Sequence, residues 1–218
     1  MIDAVFVPRG AEERAVRAGL RRSVVIYPIG IGSSSAIAAA EAVIASGAPR
    51  RVLVTGLCGS LDARFRPGDV LLYASIEDTD GVPLATDSNL SAAIQRAVPG
   101  ALSGIRALSV DHIVTRATEK RALAQHRGCH AIDMESLTLL ARLHRAGSSV
   151  AVLRVVSDGV DDDLPDLNAA LDAAGNLDAK ALARVCLFSP FATLRLTRGA
   201  FRALRALRRS LHSVVRAP

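Results

Sequence analysis

GIGSSSAIAAAEAVI, residues 30–44, and VLVTGLCGSLDARFRPGDVLL, residues 52–72, are the two stretches that decide the predicted fold. The first stretch begins with glycines that follow the apolar residues 24–29, and it continues as an alanine-rich segment; in the second stretch, β-branched and aliphatic residues lead into glycines. β-Branched residues favour strands, alanine favours helices, and glycine-rich turns join the two. The stretches therefore predict buried strands that run into loops, with a helix following the first loop.

The same alternation of strands and helices continues along the chain. Runs dense in Val, Ile and Leu predict strands over residues 4–7, 24–27, 52–55, 70–76, 107–110 and 150–156. Helices are predicted over residues 12–20, 34–46, 90–98, 117–125, 133–146 and 178–187, and polar loops over 78–89 and 158–172. We expect an α/β fold, a three-layer sandwich around a mixed, largely parallel twisted sheet. Residues 1–188 form its body, and residues 189–218 form a basic amphipathic C-terminal helical extension.

The composition excludes several classes of protein. Of the 218 residues, 50% are hydrophobic and 22% are charged, which excludes intrinsic disorder. Aromatic residues make up only 3%, so stacking platforms for single-stranded nucleic acid are scarce. The three cysteines, Cys58, Cys129 and Cys186, are scattered and form no CxxC motif, which argues against a disulfide framework and against a metal site. We expect no metal and a reducing, cytoplasmic location.

The positive charge is concentrated in the C-terminal extension. The chain carries a net charge of +6, yet residues 189–218 contain seven arginines and no acid, which leaves residues 1–188 at −1. A nearly neutral body is a poor footprint for nucleic acid, so nucleic acid is not an expected partner.

Within this extension, apolar residues recur every three or four positions. The apolar stripe comprises Phe201, Leu204, Leu207, Leu211 and Val214, and the arginines at 198, 202, 205, 208 and 209 lie largely off it. One interpretation is a peripheral contact of residues 198–218 with an anionic membrane surface. The alternative is a helix that packs on the body and exposes its arginines to solvent. Nucleic acid is a third and weaker interpretation.

Polar residues follow several predicted strands, where ligands bind in α/β proteins. The groups are Pro8-Arg9-Gly10, Gly30-Ile31-Gly32, Thr55-Gly56-Leu57-Cys58-Gly59 and Ser157-Asp158-Gly159, and a further group, Asp133-Met134-Glu135-Ser136, opens a predicted helix. Each also has a purely structural interpretation. The glycines suit tight turns, Asp158 suits a turn cap, and the acids at 133 and 135 suit the first turn of a helix.

Taken together, the motifs resemble the purine nucleoside phosphorylase / methylthioadenosine nucleosidase superfamily. The resemblance rests on residues 30–44 and 52–72, on AIDMES at 131–136 and on LRVVSDGVDD at 153–162, and it covers roughly residues 3–165. It implies a nucleoside phosphorylase-like body that cleaves the N-glycosidic bond of a purine nucleoside and needs no cofactor. It also implies a homo-oligomer in which a neighbouring subunit completes the sugar site.

The resemblance assigns roles to particular residues. Asp158 would be the acid that neutralises the leaving base, a role that needs a positioned carboxyl group. Glu135 would accept hydrogen bonds from the ribose hydroxyls, and Met134 would pack against the sugar. The remaining residues predicted to bind substrate are Cys58, Gly59, Ser157 and Val114. An aromatic residue that stacks on the purine is expected after Asp111, where this chain has His112 and Ile113.

The attacking nucleophile separates hydrolases from phosphorylases in this superfamily. The nucleosidases use a glutamate at the first strand end to activate water; Glu12 occupies that place, and Glu13 is the alternative. In a phosphorylase, Gly10, Arg14 and Gly32 would contact phosphate as the co-substrate. The phosphorylases also carry an arginine and a serine near the end of the third strand, where this chain has Val54 and Leu57. The sequence therefore favours water over phosphate.

The start PRGAEERAV, the variant GLCGSL and the basic tail look most like the hopanoid-associated nucleosidase/phosphorylase branch. That branch implies a 5′-modified adenine nucleoside as substrate, with adenosylhopane as the lipid-linked example. Three alternatives remain open: a phosphate-dependent purine nucleoside phosphorylase, a nucleoside-binding protein without catalysis, and a membrane-associated interaction module.

Overall fold

A mixed β-sheet runs through the middle of the molecule and carries helices on both faces. The computed structural model describes residues 2–20, 24–79, 81–172 and 175–216. The last two residues of the predicted membrane-contact segment, 217 and 218, lie outside this range. Across the described residues the sheet has eight strands. They are β1 (Ala4–Pro8), β2 (Val25–Ile29), β3 (Arg51–Ser60), β4 (Val70–Glu77), β5 (Leu84–Ala85), β6 (Leu102–Ser109), β7 (Ala131–Asp133) and β8 (Ser149–Asp158).

The strand pairing confirms the prediction of a mixed, largely parallel sheet. The order is β2-β1-β3-β7-β6-β4-β5, and β8 pairs with both β3 and β4. Parallel pairs join β1 to β2 and β3, β3 to β8, and β6 to β4 and β7. Antiparallel pairs join β3 to β7, and β4 to β5 and β8. The pairings among β3, β8, β4, β6 and β7 close on themselves, so the ends of these strands converge on one region.

Helices cover the sheet on both sides, which confirms the three-layer architecture. The α-helices are α1 (Ala11–Gly19), α2 (Ser33–Ala45), α3 (Ser88–Ala97), α4 (Ala117–Arg127), α5 (Ser136–Arg145), α6 (Ala179–Phe188) and α7 (Pro190–Arg216), with a 3₁₀-helix at Leu167–Ala170. One apolar cluster joins α2 and α5 to one face of the sheet, through residues such as Ala40 and Leu140. A second cluster joins α1, α3 and α7 to the other face, through residues such as Val16, Ile94 and Leu207.

The C-terminal helix α7 packs on the body of the fold. Leu207 and Leu211, two residues of the predicted apolar stripe, are fully buried, whereas Phe201 of the same stripe is 60% exposed. A side chain at Gly199 would collide with the backbone oxygen of Ser157, so glycine lets the helix cross β8 closely at that point. The arginines of the helix face solvent at positions 195, 198, 202, 205, 208 and 209. Among the described helices, none is long and apolar enough to span a membrane.

Some predicted boundaries are wrong. The predicted strand 52–55 continues to Ser60, because β8 offers a parallel partner along almost the whole of β3. The helix predicted from Asp133 begins at Ser136, and Asp133 instead ends the short strand β7. The predicted loop 78–89 contains strand β5 and the first residues of α3. Two- and three-residue strands have no periodicity of their own, so β5 and β7 were not predicted.

Candidate active site

The ends of β3, β7 and β8 surround a cavity of about 200 Å³. Eight residues predicted for the site line it together: Glu12, Cys58, Gly59, Val114, Met134, Glu135, Ser157 and Asp158. Gly10, Arg14 and Gly32, which would contact phosphate in a phosphorylase, are absent from the described residues that line this cavity. The fold therefore gathers the predicted nucleoside site but leaves the predicted phosphate contacts outside it.

Lys120 on α4 holds the Asp158 carboxylate in place. Its ammonium Nζ donates to Asp158 Oδ2 over 2.5 Å, and to the carbonyl oxygens of Gly159 and Asp162 over 3.1 and 3.0 Å. The other carboxylate oxygen of Asp158, Oδ1, accepts the Ser157 hydroxyl over 2.6 Å. Lys120 is buried and all three of its N–H donors have acceptors. Asp158 is therefore fixed through both oxygens at the cavity wall.

Replacing Lys120 with Met is expected to lower the free energy of unfolding by about 3–5 kcal/mol, because the Asp158 carboxylate then stays buried without its cation. The double variant Lys120→Met, Asp158→Asn removes both charges, so it is expected to recover most of that loss. Chemical denaturation measures both values. Arg121→Gln is the control, since Arg121 pairs with Asp161 at the surface and should cost less than about 1 kcal/mol. Equal losses in the single and double variants would contradict the buried ion pair.

Arg154 is the centre of a buried network that holds Glu135. Its Nη2 donates to Glu135 Oε2 over 3.0 Å and to Ser136 Oγ over 2.9 Å, and its Nη1 donates to the Leu57 carbonyl over 3.2 Å. Burial opposes the charge of Arg154, but Asp133 and Glu135 outweigh this effect and raise its pKa. Arg154 therefore stays cationic and fixes one oxygen of Glu135 beside the cavity.

Asp133 positions the chain that carries Glu135. Its Oδ1 accepts the backbone N–H groups of Glu135 and Ser136 over 3.2 and 3.0 Å, and its Oδ2 lies 3.4 Å from Arg154 Nε. Asp133 therefore has the structural role that the sequence analysis considered for both acids of this motif: it favours the start of the helix. Glu135 differs, since it lines the cavity and its Oε1 accepts the backbone N–H of Gly32 over 2.9 Å.

Glu12 is a half-buried carboxylate suited to accept a proton. Its Oε2 accepts the backbone N–H of Leu57 over 2.7 Å. Burial raises the pKa of Glu12 to about 7, while Arg154 and the Leu57 hydrogen bond oppose the rise. A group with a pKa near neutrality is a suitable general base at neutral pH. Glu13, the alternative, instead accepts a hydrogen bond from Arg17 on the outer surface of α1 over 2.8 Å.

The cavity gathers more negative than positive charge. Glu12, Asp133, Glu135 and Asp158 line it together with Arg154, and Lys120 lies behind Asp158. Four carboxylates thus face two cations. Fixed negative charge beside the reacting atoms stabilises a cation that develops during a reaction.

Gly59 lets Asp158 approach β3. A Cβ atom at this position would lie 2.9 Å from Ile132 Cγ2 and 3.2 Å from Asp158 Oδ2, so a larger residue would displace the carboxylate. Cys58, which precedes Gly59, is buried, and its carbonyl oxygen lies 3.1 Å from Ser157 Oγ, so the single proton of that hydroxyl is shared between the carbonyl and Asp158 Oδ1. Cys58 and Gly59 therefore shape the wall on which Ser157 and Asp158 are held.

His112 lies at the edge of the cavity, where the resemblance expects an aromatic residue. Its ring nitrogens lie 2.8 Å from Asp111 Oδ1 and 3.0 Å from Glu119 Oε1. These hydrogen bonds, to Asp111 first and then to Glu119, raise the pKa of His112. The next residue, Ile113, exchanges backbone hydrogen bonds of 2.9 and 2.8 Å with the Asn168 side chain, which ties this segment to the 3₁₀-helix.

Apolar side chains form another part of the cavity wall. They are Ile113, Val114, Leu164, Leu167, Leu196 and Ala200. The last two belong to α7, so the C-terminal helix contributes directly to the site. This part of the cavity suits an apolar substituent, whereas the carboxylates suit a sugar and a base.

The predicted phosphate contacts, Gly10, Arg14 and Gly32, are not among the residues that line the cavity in the described part of the chain. Arg14 is exposed on α1. The backbone N–H of Gly32 donates to Glu135, although Gly32 precedes the N-terminus of α2, a place where anions bind in many proteins. Gly10 precedes α1 with a φ of 95°. Gly32 therefore borders the cavity through Glu135 and Met134, whereas the exposed Arg14 does not join it there.

Comparison with known families agrees with this geometry. The family model for the phosphorylase superfamily matches residues 3–188. The chain belongs to the phosphorylase superfamily. The match confirms the predicted superfamily, and with it the prediction of an enzyme of the nucleosidase and nucleoside phosphorylase class. A search among curated proteins finds no significant sequence match.

Solved structures of superfamily members share the fold over the full chain. Futalosine hydrolase of Helicobacter pylori, as a mutant, matches with a TM-score of 0.74 at 13% identity and covers 99% of both chains. A 5′-methylthioadenosine/S-adenosylhomocysteine nucleosidase from Neisseria meningitidis, in complex with methylthio-immucillin-A, matches with a TM-score of 0.74 at 17% identity over 100% of both chains. The Helicobacter pylori nucleosidase of the same kind gives 0.73 at 14% identity over 98% of both chains. These identities are low, so the matches establish a shared fold.

Three residues of the site were missed by the sequence analysis: Arg154, Lys120 and Asp133. Arg154 did carry a signal, because it is the one basic residue in the strand Ser149–Asp158 and charged side chains are rarely buried without a partner. Asp133 was considered only as a residue of the helix start. Lys120 lies between Glu119 and Arg121 in a polar helix, and no pattern in the sequence sets it apart.

Proposed function

We propose that this protein hydrolyses the N-glycosidic bond of an adenine nucleoside with a modified 5′ position and releases the base. One observation carries the proposal: a single cavity holds Glu12, Glu135 and Asp158, each fixed by hydrogen bonds from buried groups. These carboxylates match the three tasks of the reaction, which are water activation, sugar binding and protonation of the leaving base.

Asp158 is the proposed acid for the leaving base. Asp158, which is paired with Lys120 as a carboxylate, first takes up a proton from solvent. When the bond between C1′ and the purine breaks, the electron pair of that bond moves into the base, and the proton on Asp158 neutralises the base at N7. Ser157 and Lys120 hold the two oxygens of this carboxyl group and restrict its rotation. Lys120 does not line the cavity, so it acts through Asp158 as a positioning residue.

Glu135 is the proposed ligand for the ribose hydroxyls. Each of its oxygens accepts one hydrogen bond within the protein, from Gly32 or from Arg154, and each retains a further lone pair for the sugar. As the bond breaks, positive charge develops on the sugar ring. The Asp133 and Glu135 carboxylates, which transfer no proton in the reaction, stabilise this charge, and they do so more strongly in the transition state than in the bound substrate.

Glu12 is the proposed base for water. It removes one proton from the water molecule, the hydroxide oxygen bonds to C1′, and the proton is returned to solvent while Asp158 is reprotonated. With a pKa of about 7, Glu12 is sufficiently ionised near neutral pH to do this. The position of Arg14 outside the cavity supports water over phosphate as the nucleophile.

The apolar part of the cavity supports a 5′ substituent of hydrocarbon or thioether character. For the substrate we propose an adenine nucleoside of this kind, with lipid-linked adenosylhopane as the candidate that the branch resemblance supports. We also propose that the enzyme acts in the cytoplasm, that it needs no metal or cofactor, and that it forms a homo-oligomer. The cytoplasmic location is supported by the cysteines, because Cys58, Cys129 and Cys186 are all free thiols.

The proposal is tested by incubating the purified protein with adenosine and with a series of 5′-alkylthio adenosines of increasing chain length. Adenine release is measured by chromatography. We expect kcat/KM to rise from adenosine to the alkylthio compounds, because the apolar wall binds the substituent. Calorimetric binding of these nucleosides without any release of adenine would overturn the proposal in favour of a binding protein.

A further inference from the structure

The outer face of α7 carries apolar side chains between its arginines. Together with the end of α6, it forms an apolar ridge of five exposed residues: Leu187, Phe188, Phe191, Leu194 and Phe201. Phe188 and Phe191 are 75% and 83% exposed, unusual values for aromatic side chains of a folded protein. Large apolar side chains that cluster on an exposed surface mark an interaction site.

The arginines share that face because of the helical spacing. Residues spaced three or four positions apart lie on one side of a helix. This spacing places six residues of α7 on the same side: Phe191, Leu194, Arg195, Arg198, Phe201 and Arg202. Arg205 continues this side, and its guanidinium lies 5.3 Å from the centre of the Phe201 ring. Arg195 lies within 3.4 Å of Asp162. The opposite side of α7, with Leu207 and Leu211, is buried on the body.

We propose that this face docks on an anionic lipid bilayer, with the apolar ridge inserted among the headgroups and the arginines bound to lipid phosphates. Charge complementarity supports this partner, since residues 189–218 hold seven arginines and no acid. Exposed Phe and Leu side chains on a basic helix are the features by which amphipathic helices bind membrane interfaces.

The same features argue against other partners. Nucleic acid would bind the arginines but gain little from exposed Leu187 or Leu194 side chains. A second copy of the chain would bring two arginine-rich faces together, and like charges repel. The proposed surface shares Phe201 with the stripe predicted from the sequence but leaves out Leu207 and Leu211, which belong to the core.

Docking at this face would place the catalytic cavity near the membrane. Leu196 and Ala200, on the inner side of α7, line the cavity. Leu167 lines the cavity as well, and it belongs to the 3₁₀-helix that packs against α6. A substrate with an apolar 5′ substituent could then pass from the bilayer to the cavity along α7. This passage of substrate along α7 rests on the proposed function, whereas the docking on the membrane does not.

The test is sedimentation of the full chain with vesicles of phosphatidylcholine, with and without phosphatidylglycerol. We expect binding only to the phosphatidylglycerol vesicles. The ridge variant Phe188→Gln, Phe191→Gln, Leu194→Gln should weaken binding more than about tenfold. The charge variant Arg198→Gln, Arg202→Gln should weaken it about 30-fold, since each arginine contributes roughly fivefold.

Two substitutions on other surfaces serve as matched controls. Val82→Gln changes an apolar side chain that is 87% exposed in the loop before β5, and Arg145→Gln changes an exposed arginine at the end of α5, on the other side of the sheet. Both should bind vesicles as the parent protein does. Turnover of a soluble nucleoside is measured for every variant, so a failure of docking is distinguished from a failure of the proposed function.

Three outcomes would overturn the proposal. The first is no binding to anionic vesicles. The second is binding that the ridge variant leaves unchanged, which would mean that charge alone attracts the protein. The third is a parent protein that ignores vesicles and forms a dimer, seen by light scattering, that the ridge variant dissociates, since the face would then bind a second copy.

Discussion

Replacing Asp158 with Asn is expected to lower kcat for adenine release by about 10²–10⁴-fold, the usual contribution of a general acid. Asparagine keeps the shape of the side chain, and its carbonyl oxygen can still accept a hydrogen bond from Lys120. Because the buried Lys120 cation then lacks its anion, the free energy of unfolding is expected to fall, and the assay is run at a temperature where the variant is folded. The measurement is steady-state adenine release, with circular dichroism to confirm folding. Asp161→Asn, which changes an exposed carboxylate in the same loop, should leave kcat unchanged.

A substrate with a good leaving group separates the role of Asp158 from a general loss of structure. A nitrophenyl riboside departs as an anion that needs no proton, so the Asp158→Asn enzyme should lose less than about tenfold on this substrate. An equal loss on both substrates would contradict the role of Asp158 as the acid for the leaving base.

Replacing Glu12 with Gln is expected to lower kcat by about 10²–10⁴-fold on both substrates, because water activation is needed whichever group leaves. The amide oxygen of glutamine can still accept the Leu57 N–H, so local structure should be kept. Glu13→Gln is the matched control and should retain full activity, since Glu13 pairs with Arg17 at the surface. Loss of activity in Glu13→Gln with retention in Glu12→Gln would reverse the assignment.

The pH dependence of the unmodified enzyme gives a second test of Glu12. The base must be ionised to accept a proton, and burial raises the pKa of Glu12 to about 7. Activity should therefore fall below about pH 7, by about tenfold for each further pH unit. The residual activity of the Glu12→Gln enzyme should lack this decline. A decline that persists in the variant would mean that another group titrates.

The acidic residues of the site could be predicted from the sequence because each stands in a motif with a fixed place in the fold. Glu12 and Asp158 follow predicted strands, Glu135 stands at the start of a predicted helix, and the structure brings all three to one cavity. The cations that hold them could not be predicted in the same way. Arg154 and Lys120 come from the middle of a strand and of a helix, and only tertiary packing brings them to their carboxylates.

The limits of the fold prediction have similar causes. The glycines at 56 and 59 suggested that β3 ends at Thr55, but pairing with β8 carries the strand to Ser60. The apolar stripe of the C-terminal helix was predicted with two possible partners, a membrane or the body of the protein. The sequence could not distinguish them, because either partner buries the same periodic residues. The structure packs Leu207 and Leu211 on the body.

The central claim is that water, activated by Glu12, attacks C1′. The most direct measurement is the identity of the sugar product when adenine is released in the presence of phosphate, followed by ³¹P and ¹H NMR. The account predicts a free 5′-modified ribose, formed at the same rate with and without phosphate. A ribose 1-phosphate product, formed only when phosphate is added, would contradict it.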